Sequence, residues 1–193
     1  MTQDYDRTAA RDDAIRALLP LVPDHGWTMA ALRQAAGPSA DLLFPGGPAE
    51  LVEAYIDLAN REMAREAAPL LPTQKLSARV RTLILTRLAQ AEPHKQAIRR
   101  AVAVLARPGN TVTAARCTAG TVDAIWHAAG DTSADFSWYT KRAILASVYT
   151  TTLLWWLGGA RTPDEIAAFV DRRLAGVAKL GKLRARLMPK RAA

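Results

Sequence analysis

The chain has 193 residues, half of them hydrophobic and 23 % charged, enough apolar content for one substantial core and too much for a disordered chain. Its single cysteine, Cys117, excludes an internal disulfide framework and a cysteine-based zinc site. The net charge of +8 is confined to one end: acids and bases balance through Asp171, and every cation from Arg172 to Arg191 is uncompensated.

Apolar residues recur at three- and four-residue spacing from end to end, Pro and Gly gather at the breaks, and no stretch alternates as a strand does. The pattern predicts about ten helices, over 9–22, 28–36, 39–44, 48–67, 75–91, 94–106, 111–129, 135–157, 163–176 and 177–188. Thr28 is placed to cap the second. Thr162-Pro163, followed by Asp164 and Glu165, opens the ninth with acids at the positive end of the helix dipole. The expected division is a head over 1–67, a body over 68–176 and a basic tail over 177–193.

The start, MTQDYDRTAARDDAIRALL, is acidic and polar where a secretory leader is basic and then apolar, and it lacks the acid-poor character of a transit peptide. A cytoplasmic protein is expected.

In the head, Gly26-Trp27-Thr28-Met29-Ala30-Ala31-Leu32, then Ala35-Ala36-Gly37, then Leu42-Leu43-Phe44-Pro45 lay out two short helices about a glycine turn. This resembles the helix-turn-helix head of TetR-type regulators. The segment that would read DNA, Pro38 to Phe44, has Ser39 and Asp41 but no Arg, Lys, Asn or Gln for base edges. An acid facing the groove repels it, so a vestigial head and no DNA partner are expected.

From Trp126 the chain runs W-H-x-A-G-D-x-S-x-D-F-x-W-Y-x-K-R to Arg142, then continues A-x-L-A-x-x-Y-x-x-T-x-L through Ala143, Tyr149 and Leu154. Fixed Trp, Gly, Asp and aromatic positions over some forty residues are far more specific than a short motif. The run resembles the signature of the ubiquinone (coenzyme Q) biosynthesis accessory family, the ninth Coq protein and its bacterial relatives. Gly26-Trp27-Thr28 and Leu43-Phe44-Pro45-x-Gly47, followed by Glu50-Leu51-Val52, are similar to that family's head, whereas Pro69 to Arg107 agrees only in helical character. The resemblance implies an all-α, TetR-like fold without DNA binding. It also implies an internal pocket for an isoprenoid lipid, assistance to the demethoxyubiquinone hydroxylase, and reversible membrane attachment through the last helix.

The residues can be set beside those expectations. Along the helix from Asp135 to Leu157, Trp138, Arg142, Leu145, Tyr149, Thr152, Leu153 and Trp156 share a stripe, with Ile144, Val148, Thr151 and Trp155 nearly opposite. Its uncharged run from Ala143 to Leu157 is shorter than the roughly twenty residues that span a bilayer. The helix therefore belongs between the core and a cavity or a second copy of the chain, a homodimer being expected. Candidate lipid-binding residues are Val122, Ile125, Trp126 and Ala129 on the preceding helix with Leu145, Val148, Tyr149, Thr152, Leu153 and Trp156 on this one, Tyr149 and Thr152 facing a quinone-like head. The same periodicity also suits a filled core.

Asp123, Trp138 and Tyr139 form a candidate partner-binding patch, aromatics rimmed by charge. Alternatively Trp138 closes the end of the core while the acids before it cap the helix. In the tail, Ile166, Val170, Leu174, Val177, Leu180, Leu183, Leu187 and Met188 make an apolar arc, with Arg172, Lys179, Lys182, Arg186 and Lys190 opposite. Such a helix lies in an anionic membrane interface, so Lys179, Leu180, Lys182, Leu183, Arg186 and Leu187 are candidate membrane-binding residues. An ordinary surface helix with a solvated basic end would look similar.

Enzyme chemistry has little footing. His25, His94 and His127 are dispersed, no nucleophile elbow, phosphate loop or dinucleotide fingerprint is present, and no metal site or cofactor is expected. His127 and Asp131, one helical turn apart, read as a hydrogen-bonded pair; Cys117, beside Arg116, reads as a small buried side chain. The expected function is a non-enzymatic accessory that binds an isoprenoid quinone intermediate, or another long-chain lipid, and presents it to the hydroxylase. The alternatives are a lipid-sensing TetR-like regulator and a membrane adaptor with a filled core.

Overall fold

The computed structural model describes residues 9–131 and 137–187, with side chains described for 9–131 and 139–176. Nine α-helices account for most of these: α1 Ala9–Leu18, α2 Val22–His25, α3 Met29–Ala36, α4 Pro48–Ala67, α5 Leu76–Ala91, α6 Lys95–Leu105, α7 Thr111–Ala129, α8 Ser137–Leu157 and α9 Pro163–Leu187. No strand occurs among the described residues.

Three departures from the expected ten helices have local causes. The helix expected over 9–22 gives way at Leu19–Leu21 to a 3-10 turn before α2, because Pro20 and Pro23 remove two amide donors the helix would need. The helix expected over 39–44 is a 3-10 turn, Pro38–Leu43, entered through Gly37 at φ +86°. The two tail helices are one: Gly176 lowers helix propensity by about 1 kcal/mol relative to alanine, which does not end a helix of 25 residues.

In α4, Leu51, Val52, Tyr55, Leu58, Ala59, Met63 and Ala67 are buried at three- and four-residue spacing. That face packs on α5 and α7, with α1 and α6 beside it; α7 continues to α8, and α9 closes over α8 and α5. One apolar cluster runs from Ala14 in the head to Val170 in α9.

Capping agrees with the sequence. Thr28 Oγ1 accepts the amide of Ala31 at 3.1 Å. At α9 the Thr162 amide donates to Glu165 Oε2 at 2.8 Å and the Glu165 amide to Thr162 Oγ1 at 3.3 Å, a reciprocal capping box. These bonds hold the Glu165 carboxyl below the usual range. The end of α7 is a left-handed glycine, Gly130 at φ +81°, with the Asp131 amide reaching back to the Trp126 carbonyl at 3.1 Å. The end of α8 is held from α6, where Arg99 Nε donates to the Leu157 carbonyl at 3.0 Å.

Candidate functional site

Helices α4 to α8 enclose a cavity of about 310 Å³, within the range of small-molecule sites. Tyr55 and Ile56 come from α4, Arg87, Leu88 and Ala91 from α5, and Ile98, Ala101, Val102 and Leu105 from α6. Ala114, Cys117, Thr118 and Thr121 come from α7, and Tyr149, Thr150, Leu153 and Leu154 from α8. The rim is exposed at Leu154, 52 % accessible, while Leu88, Ala91 and Tyr55 are buried.

Most of the lining has no polar group to offer. Thr118 and Thr121 donate to the carbonyls of Ala114 and Cys117, both at 3.0 Å, spending their hydroxyls on their own helix. Cys117 is buried, and burial pushes its thiol up to about 12, so the neighbouring Arg116 does not activate it. Burial likewise raises the Tyr55 phenol, against the pull of nearby Arg87.

Among the ten residues that periodicity nominated for lipid, Tyr149 and Leu153 line this cavity. Val122, Ile125, Ala129, Leu145, Val148, Thr152 and Trp156 are packed into the core instead. Thr152, expected beside a ligand head, is fully buried and donates to the Val148 carbonyl at 2.7 Å. Trp156 donates to Glu92 Oε2 at 2.7 Å and lies under the Lys95 ammonium. Trp126 is half-buried against the core, with Lys141 Nζ 5.8 Å from its ring centre. Val148 joins Leu145 and Tyr149 on the buried side of α8, and Trp155 of the opposite stripe stacks on Phe169 of α9 at 4.2 Å.

What sequence reasoning missed are the walls from α4, α5 and α6, above all Arg87. The signal was there: Arg87 stands four residues after Leu83 and three after Ile84, on the buried stripe of α5 that includes Leu88 and Ala91.

At the start of α8, Tyr139 is 71 % exposed. Asp123, exposed on α7, is paired with Arg142, and Asp131 with Lys141 at 3.1 Å. Asp131 was expected to pair with His127; the left-handed turn at Gly130 brings it to α8, and His127 is exposed. The Trp138 side chain lies outside the described residues, as do those of Lys179, Leu180, Lys182, Leu183, Arg186 and Leu187, whose backbone continues α9. No helix among the described residues is long and apolar enough to cross a membrane. No group of three or more His, Cys, Asp or Glu side chains among them could hold a metal ion.

The COQ9 family model matches residues 111–181, which take in α7, α8 and most of α9. The ubiquinone biosynthesis protein coq9 of Schizosaccharomyces pombe, a mitochondrial protein, is 33 % identical over 171 residues, covering 84 % of this chain and 68 % of that one. The chain belongs to the COQ9 family. Mitochondrial COQ9 of Rattus norvegicus is 31 % identical over 182 residues, and that of Homo sapiens 30 %, each alignment covering 86 % of this chain. The chain matches 58 % of the rat COQ9 length and 57 % of the human. A TetR transcriptional regulator of Nitrosomonas europaea superposes with a TM-score of 0.68 at 19 % identity, over 87 % of this chain and 97 % of that one. The fold is thus TetR-like and all-α. The residues matched by the family model include Gly130 and Asp131, where α7 ends.

Proposed function

We propose that this chain acts in ubiquinone biosynthesis as a non-enzymatic accessory, which takes an isoprenoid quinone intermediate into the α4–α8 cavity and presents it to the demethoxyubiquinone hydroxylase. The observation that carries this reading is the cavity itself, apolar over most of its wall and open at an exposed leucine rim. An isoprenoid chain passing there from a bilayer exchanges one apolar surrounding for another, so little hydrophobic free energy opposes the move. The names of the COQ9 relatives supply the pathway.

The remaining parts have separate roles in the proposal. The basic end of α9, with Lys179, Leu180, Lys182, Leu183, Arg186 and Leu187, brings the body peripherally to an anionic inner membrane. Asp123, Trp138 and Tyr139 receive the hydroxylase, and two copies of the chain pair along α8. The head over 1–67 serves the body over 68–176 as packing scaffold. Its would-be recognition segment is a six-residue 3-10 turn, and Asp41 within it is paired with Arg33 at 2.7 Å. That chemistry disfavours a lipid-sensing regulator that reads DNA.

The test is native mass spectrometry, with extraction and identification of lipid, on protein purified from a ubiquinone-producing host. Long-chain isoprenoid in one-to-one ratio with the chain is expected. Protein free of lipid, and still empty after incubation with vesicles containing quinone precursors, would replace this reading with a filled-core adaptor.

A further inference from the structure

Arg87 is 5 % exposed, yet it stands in the wall of a cavity that is otherwise mostly apolar. It also lines, together with Tyr55, a second and more polar cavity of about 260 Å³ that includes Arg16, Glu62, Gln90 and His94. Arg87 and Tyr55 are therefore shared by both spaces. A buried guanidinium normally has a carboxylate partner, because its charge is otherwise left with neither water nor counter-ion. Here none is within 4 Å among the described residues, and Arg87 Nε has no hydrogen-bond partner. Glu62, the acid of the second cavity, is committed to Arg16 at 2.9 Å. Among the described residues, the Tyr55 ring, its centre 5.8 Å from the guanidinium carbon, and the Tyr55 hydroxyl offer Arg87 compensation.

A cation with an orphaned Nε, at the junction of an apolar cavity and a more polar one, is complementary to an amphiphile with one acidic head. We infer that Arg87, with Tyr55 beside it, is an anchoring site for the carboxylate of a long-chain amphiphile whose apolar chain lies along α6, α7 and α8 toward the rim at Leu154. The guanidinium presents planar donors that match a carboxylate, Tyr55 adds a hydroxyl donor, and Thr118 and Thr121 along the chain path have their hydroxyls bonded to their own helix. A head bound at Arg87 would leave the far end of the chain at the exposed rim, where a membrane can still hold it. This rests on the reading of the cavity as a lipid site, and adds acidic amphiphiles as a ligand class beside the quinone intermediate.

The experiment is calorimetric titration of the full-length, delipidated chain with dodecanoate and with 1-dodecanol, which share a chain and differ in head charge. Dodecanoate is expected to bind about tenfold or more tighter than the alcohol. Arg87→Met should abolish that preference, and Arg87→Lys should retain part of it. Equal binding of the two ligands by the wild-type chain, or a preference unchanged in Arg87→Met, overturns the anchor while leaving the lipid cavity standing. Binding of neither ligand overturns both. Should Arg87→Met fail to fold, the wild-type comparison and Arg87→Lys decide the matter.

Discussion

The indole N–H of Trp27 donates to the carbonyl oxygen of Ala97 across 2.9 Å in a buried site, joining the head to α6. The same indole lies 5.3 Å from the ring of Tyr55, which lines the cavity. Head and cavity are thus mechanically continuous, through a residue whose bond spans 70 positions of sequence. Trp27→Phe keeps an aromatic ring and removes the donor, and is expected to cost about 1–2 kcal/mol. Trp27→Ala should cost about 3–5 kcal/mol, since it also leaves a void. Urea unfolding with unchanged slope measures both, and a neutral Trp27→Phe would show that the bond does not hold the head.

Cys117 makes a pH-dependent prediction. Its thiol is raised from an ordinary 9.0 to about 12, first by burial and then by the Glu53 charge. The folded chain therefore keeps the proton where the unfolded chain gives it up. The stability this contributes is complete below pH 9 and is lost as the pH climbs toward 12. Relative to Cys117→Ala, the wild-type chain should lose stability faster across that interval, and native protein at pH 8 should resist alkylation by iodoacetamide. Parallel pH profiles for the two chains, or rapid native alkylation, would contradict it.

Gly130 offers a test of the α7–α8 turn. Its φ of +81° is left-handed, and a Cβ there would stand 3.2 Å from Arg79 Nη1, the group that donates to the Ala129 carbonyl at 3.1 Å. Gly130→Ala should cost about 1–2 kcal/mol in thermal or urea unfolding. Because Asp131 meets Lys141 just beyond the turn, the same change should weaken binding of the hydroxylase, while lipid loading stays as in the wild type. Unaltered stability would mean that the turn tolerates a side chain after all.

The sequence carries the helices well and the cavity poorly, for one physical reason. Apolar spacing identifies a helix and its buried face, so α4, α7 and the Thr28 and Thr162 caps are all legible. It does not say whether a buried face meets another side chain or empty space. Val122, Ile125 and Leu145 have the same periodicity as Cys117, Thr121 and Tyr149, yet only the second group borders the cavity. That difference depends on how far α6 stands from α7 and α8, which no single helix encodes. Arg87 could have been found, because a cation on an apolar stripe is a local contradiction visible before folding.

The partner patch is tested by dividing two readouts. Tyr139 is highly exposed at the start of α8, and the Asp123–Arg142 pair fixes α8 to α7 close by. Tyr139→Ala and Trp138→Ala should each weaken capture of the hydroxylase by about tenfold or more, as aromatic anchors do. Lipid stoichiometry by native mass spectrometry should not change. Loss of both readouts together would mean that the start of α8 supports the cavity and is not a separate surface.

The basic end of α9 carries the last prediction. Arg81 of α5 grips Asp171 of α9 through two bonds, of 2.6 and 3.0 Å, which fixes the first part of the helix to the body. The five cations of residues 181–193 lie beyond that anchor and have no acids among them. Each cation close to an anionic surface is worth about 1 kcal/mol, and the attraction fades within a Debye length. Deleting 181–193 should therefore reduce co-sedimentation with phosphatidylserine-containing vesicles at low salt and have little effect with neutral ones. The fold should survive, because among the described residues the apolar cluster of the core ends at Val170, with Leu174 packed against it. Unchanged binding to anionic vesicles would remove the tail as the anchor and turn attention to the exposed rim at Leu154.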